Sequence, residues 1–126
     1  ERSDDITLRL RGGVTAVNAL VLASRYEEAY TRLSQLLDLI PQISDKEARL
    51  QGIGVAAFLY NQAGQYDLGL NYAEKWVAED SGAGTCKGWH LKLESLYRSG
   101  KLRTVDTEFQ QGIDACVRRM NRSGQI

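Results

Sequence analysis

Catalytic and metal chemistry have little to work with in this 126-residue chain, which holds one histidine, His90, and two cysteines, Cys86 and Cys116. A zinc site built from these three would lack a fourth ligand and the paired spacing such sites use. A Ser-His-Asp or Cys-His nucleophile is equally unsupported. His90 falls inside a helix-periodic stretch, and no strand-to-helix elbow can be read. Charge of one sign is missing too. Sixteen basic and sixteen acidic residues cancel, so no net field draws the chain toward nucleic acid or an anionic membrane. No apolar run approaches the ~18 residues of a membrane-spanning helix, so direct insertion of this segment is not expected. The single proline, Pro41, excludes a proline-rich or collagen-like chain. Adjacent acids such as Glu27 and Glu28 point in different directions from a helix and read as solvated surface. The expectation is a chain without catalytic residues, metal or cofactor.

What the chain does have is a repeat. Ser24, Gly64 and Gly100 stand 40 and 36 residues apart. Each is followed two residues later by Tyr26, Tyr66 or Leu102, and three further on by Ala29, Gly69 or Val105. A period in this range marks a tandem array of helical units. Six helices are predicted. The first covers roughly residues 6–23 through Leu8, Leu10, Val14, Val17 and Leu20. The second carries Ala29, Leu33, Leu36 and Ile40 and should stop at Pro41. Ser44 with Glu47 matches a capping box and should open the third, whose stripe is Leu50, Ile53, Ala56, Ala57 and Tyr60. Gly64 and Gly100 should end helices by taking the left-handed conformation. Tyr66, Leu70, Ala73 and Val77 form the fourth helix. The stretch from Asp80 to Thr85 reads as a connector, since its glycines lack the GxxxxGK[ST] context of a phosphate loop. Trp89, Leu93 and Leu96 mark the fifth helix, and Phe109, Ile113, Cys116 and Met120 the sixth. The reading is a single all-α domain over residues 1–126, with units at about 6–41, 45–80 and 85–122.

These units resemble tetratricopeptide repeats. The likeness rests on Ala57, Tyr60, Gly64, Tyr66 and Gly69 in the middle unit, on Tyr26, Ala29 and Pro41 in the first, and on Trp89, Gly100 and Phe109 in the third. Val105 and the missing proline of the second unit depart from the pattern. The resemblance implies three antiparallel helix pairs stacked as a right-handed solenoid, with Ala57 and Gly69 facing each other at the closest crossing. The run from Tyr60 to Asp67 and the segment from Cys86 to Trp89 are also similar to the N-terminal sensory regions of bacterial GGDEF diguanylate cyclases. That likeness implies a non-enzymatic input region, periplasmic and followed by a membrane anchor and a catalytic domain. The GGDEF signature itself does not occur in this chain. The alternative is a scaffold in a cytoplasmic transcriptional regulator or assembly factor. Because the chain begins at Glu1 and ends without a polar capping helix, it is expected to be a piece of a longer protein. Its last helix would then offer an apolar end face for self-association.

In stacked units of this kind the first helix of each pair lines the inner groove. The resemblance therefore places Asn18, Phe58, Asn61, Lys87, His90 and Tyr97 in a groove that takes a protein or peptide partner, with Arg11, Val21, Gln51, Gly54 and Glu94 beside them. Only Asn18 and Lys87 fall where a clamp for a terminal carboxylate would need them. The cysteines carry one further expectation. Cys86 lies fourteen residues before Gly100 and Cys116 sixteen after it. In a hairpin turning at Gly100 they stand within ~3 Å of the same height and face the same seam. A disulfide and two buried thiols both satisfy that placement. A bridge would place the region outside the reducing cytosol.

Overall fold

The computed structural model describes residues 2–79, 86–101 and 107–123. Among them are six α-helices and no strand: α1 (Arg2–Leu22), α2 (Tyr26–Leu39), α3 (Lys46–Gln62), α4 (Tyr66–Glu79), α5 (Cys86–Arg98) and α6 (Thr107–Ser123). The chain is all-α. The connector at 80–85, Leu102 and Val105 lie outside the described residues, and so does the side chain of Met120.

The three turns between paired helices share one hydrogen-bond scheme. Ser24 N–H donates to Val21 O and Arg25 N–H to Leu20 O, at 2.9 and 2.8 Å. Gly64 and Gln65 do the same to Asn61 O and Tyr60 O, and Gly100 and Lys101 to Tyr97 O and Leu96 O. This pair of bonds is a Schellman cap, which satisfies two carbonyls that the helix end leaves open. It requires positive φ at the turn residue. Gly64 and Gly100 take φ of 86° and 76° at no steric cost, whereas Ser24 is held at φ 60°.

Helix boundaries differ from expectation in three places. The first helix begins at Arg2, because the polar residues before Ile6 continue the helix without needing burial. Helix α2 does end ahead of Pro41, at Leu39, one residue short of the expected Ile40. Ile40–Gln42 forms a 3-10 turn with the proline at its first positions, where a missing N–H costs no bond. The third helix is capped by Asp45, not Ser44: the Asp45 carboxylate accepts from Glu47 N–H at 3.2 Å.

Packing follows the repeat. Helix α1 packs on α2, α3 on α4 and α5 on α6, while α3 also touches α1 and α5, and α4 lies against α5. Helix α3 is thus central and is buried over most of its surface, from Ala48 and Leu50 through Val55 and Ala56 to Leu59, instead of along the single stripe its periodicity suggested, with Gln51 left exposed. Two apolar clusters result. Leu10, Val17, Leu33, Leu36 and Leu59 fill one, between the first pair and α3. Leu50, Ile53, Ala73, Trp76 and Leu91 fill the other, between α3, α4 and α5. Glycines let large side chains sink between helices. A Cβ on Gly54 would stand 2.6 Å from Trp76 Cζ3, and one on Gly88 would also collide with the Trp76 ring. Trp76 of α4 is therefore wedged between α3 and α5, which fixes how far apart those two helices stand.

Candidate functional site

Three helices, α1, α3 and α5, present one face to a shared cleft of about 600 Å³. Its twelve lining residues occupy four equivalent positions in each unit, counted back from Ser24, Gly64 and Gly100. Thirteen residues before each turn stand Arg11, Gln51 and Lys87. Ten before stand Val14, Gly54 and His90, and nine before stand Thr15, Val55 and Leu91. Six before stand Asn18, Phe58 and Glu94. Spacings of three and four return to the same helix face, so an identical offset in three parallel units gives a lattice of four rows by three columns.

The rows differ in character. Arg11, Gln51 and Lys87 form an exposed lip. Gly54, Val55 and Leu91 are buried and make an apolar floor. Gly54 is explained by Trp76 behind it, not by anything in the cleft. Asn18, Phe58 and Glu94 form the second lip, all half-buried. The first lip is basic: Arg11 reaches Asp45 only at 3.5 Å, with both side chains about half exposed, and Lys87 sits 5.8 Å from the Trp76 ring centroid. Exposed pairs at such separations leave most of the charge to solvent or a ligand. The acidic group of the second lip is paired, since Glu94 lies 3.1 Å from Arg98 Nε.

Of the six residues expected in the groove, Asn18, Phe58, Lys87 and His90 line the cleft, together with Arg11, Gln51, Gly54 and Glu94. Asn61 and Tyr97 do not. They lie three residues before their turns, as Val21 does, one step nearer the turn than the last row of the cleft. Val21 and Asn61 are buried, at 4% and 0% exposure. Tyr97 is 74% exposed on the flank of α5, away from the cleft. Val14, Thr15, Val55 and Leu91 also line the cleft but were not among the residues expected in the groove; Val14 was read only as part of the apolar stripe of the first helix. Their signal was the same offset from each turn.

Asn61 does something else. Its Oδ1 lies 2.9 Å from Ser95 Oγ, which is also 3.1 Å from Leu91 O, while Nδ2 has no partner. A hydroxyl has one proton. Turning the amide over lets Ser95 donate to Leu91 O and accept from Asn61 Nδ2, which resolves the conflict at the hydroxyl. Either way this is a buried polar bridge between α3 and α5. It sits directly over Gly69 of α4, where an added Cβ would collide with the Asn61 amide and would approach Ala57 O at 3.3 Å. Gly69 of α4 thus faces Ala57 of α3, as expected, and the Asn61 amide beside it fills the space a side chain there would need.

Cys86 and Cys116 are bonded, with Cα atoms 4.5 Å apart. Cys86 is the first residue of α5 and precedes Lys87 of the basic lip, so the bridge pins both α6 and the end of the cleft. A second depression, around Gln65, Tyr66 and Arg98 at the turns, is also lined by Lys101 and Asp67, which pair at 3.1 Å. Among the described residues no group of three or more His, Cys, Asp or Glu side chains could hold a metal ion, and no helix is long and apolar enough to cross a membrane.

No protein-family model, curated protein or solved structure matches this chain. Its function therefore has to be argued from the cleft.

Proposed function

We propose that the chain is a non-enzymatic interaction module, a three-unit tetratricopeptide-like stack whose inner cleft takes a peptide segment of a partner protein. The observation that carries this reading is the lattice itself. Four positions repeated at one offset in three units make a strip with an apolar floor and polar lips, the layout of a surface that reads an extended chain. Asn18, Gln51 and Thr15 line it with groups that both donate and accept, as peptide groups require. A catalytic role finds no support in the cleft, where one histidine and one carboxylate already paired with Arg98 offer no acid–base couple.

Within that reading, the module serves as the extracytoplasmic input region of a bacterial signalling protein of the diguanylate cyclase kind. The disulfide favours this placement over a cytoplasmic scaffold, because such bridges persist in oxidising compartments. Counting free thiols in unfolded, unreduced protein from its native compartment tests the location; two free thiols would remove this support. For the cleft, a photo-crosslinking amino acid placed at Asn18 should capture a partner, and the same group at Gln35, exposed on α2, should not. Equal adducts from both positions would move the binding surface out of the cleft.

A further inference from the structure

Resting on the peptide-binding reading of the cleft, we infer that its partner segment is extended and acidic, with two carboxylates six residues apart on one side and an apolar residue midway on the other. Three features of the lattice lead there. First, the ends of the thirteen-before row are Arg11 on α1 and Lys87 on α5, with neutral Gln51 between them on α3. Packed helices lie 8–10 Å apart, so the two cations stand about 18 Å from each other. An extended chain advances about 3.3 Å per residue, so that span takes about five to six residues, of which only the even number lets one strand satisfy both cations. Because side chains alternate with a period of two, residues six apart point to the same side. Both would meet the basic lip.

Second, the opposite lip is apolar at its centre. Phe58 of α3 stands between Asn18 and Glu94, and the residue midway between the two carboxylates points away from the basic lip and toward it. The two lips are separated by seven residues of helix, or about 10 Å of rise, enough for one extended strand with side chains on either side. Third, the acids that could oppose an anionic ligand are accounted for. Glu94, the one carboxylate lining the cleft, is held by Arg98 at 3.1 Å, and Asp45 lies outside the lining, paired with Arg11 at 3.5 Å. The balance of charge facing the strip is therefore positive, although the chain as a whole is neutral. Complementary charge of this kind selects partners and sets register more than it adds raw affinity.

The test is fluorescence anisotropy at low ionic strength with labelled seven-residue peptides of serine and glycine. One carries glutamate at its first and seventh positions and leucine at its fourth. The others carry glutamine or lysine at the two ends. The acidic peptide should bind at least about 10-fold tighter than the glutamine peptide, and that margin should shrink as salt screens the lip. The double variant Arg11→Glu/Lys87→Glu, at two exposed positions, should keep its helicity and transfer the preference to the lysine peptide. Glutamine and glutamate peptides binding within about 2-fold of each other would overturn the acidic specificity while leaving the peptide reading intact. Glutarate competing as well as the whole peptide would assign a small dicarboxylate and overturn the extended partner. Folded protein that binds none of the three peptides would overturn the peptide reading itself.

Discussion

Asn61 on α3 lies directly over Gly69 on α4, and the space a Cβ would need at position 69 is filled by the Asn61 amide. That one contact sets how closely the two helices of the middle pair approach, and it joins the pair to α5 through Ser95.

Gly69→Ala should therefore destabilise the fold by about 1–3 kcal/mol, the usual cost of overpacking. The combination with Asn61→Ala should cost less than the sum of the two single changes, because removing the amide opens the space that the methyl group needs. Urea unfolding of the four proteins measures the coupling. Strict additivity would show that the two side-chain positions do not meet.

Ser24 is the one non-glycine residue at positive φ among the described residues. Ser24→Gly should raise stability by roughly 0.5–1 kcal/mol by relieving the left-handed conformation. The reverse changes, Gly64→Ala and Gly100→Ala, should each lower it by about 1 kcal/mol. A Cβ at Gly64 or Gly100 meets nothing within 4 Å, so any loss there is backbone strain alone. Shifts of the urea midpoint at constant slope check all three, and an unchanged Ser24→Gly midpoint would count against the shared turn geometry.

The Cys86–Cys116 bridge spans 30 residues of sequence, and closing a loop of that length removes roughly 3–4 kcal/mol of unfolded-chain entropy. Reduction, or Cys86→Ala with Cys116→Ala, should lower stability by about that amount. Helix α6 packs chiefly on α5, so its amides should be the first to lose hydrogen-exchange protection. Matching melting curves with and without a reductant would contradict this.

Alkaline pH should loosen the tyrosine cluster of the first two units. Tyr60 lies 5.7 Å from both Tyr30 and Tyr72, ring centre to ring centre. Burial, and secondly the neighbouring Tyr60, hold the Tyr30 and Tyr72 phenols above the usual tyrosine value. Tyr30 also donates to Gln65 Oε1 at 2.7 Å, which favours its neutral form. The unfolded chain thus gives up these protons first. Their stabilising effect is complete below pH 10 and is lost as pH rises through the folded-state values. Tyrosinate absorbance should show a late phase that Tyr30→Phe and Tyr72→Phe each diminish. A single phase at the ordinary value for all tyrosines would refute this.

Local signals carried most of the fold. The spacing of Ser24, Gly64 and Gly100 reports the three caps, because a residue at positive φ cannot continue the helix and these three take that conformation. The same anchors also encode the cleft, since a fixed offset from a fixed turn lands on a fixed face. The resemblance to tetratricopeptide units placed Asn18, Phe58, Lys87 and His90 on that face, and they line the cleft. Asn61 was misplaced because a polar residue on a helix flank looks the same whether solvent or a glycine faces it. Nothing near position 61 announces that Gly69 and Ser95 will enclose it.

The sequence by itself determined the helices, their ends and the three-fold period, all of which are set by interactions within a few residues along the chain. Tertiary structure alone decided which flanks are covered, that Trp76 separates α3 from α5, and that Cys86 and Cys116 meet in a bond. It also turned a row of scattered residues into one basic lip. Those outcomes depend on distances between segments tens of residues apart, and packing sets such distances where no local pattern can.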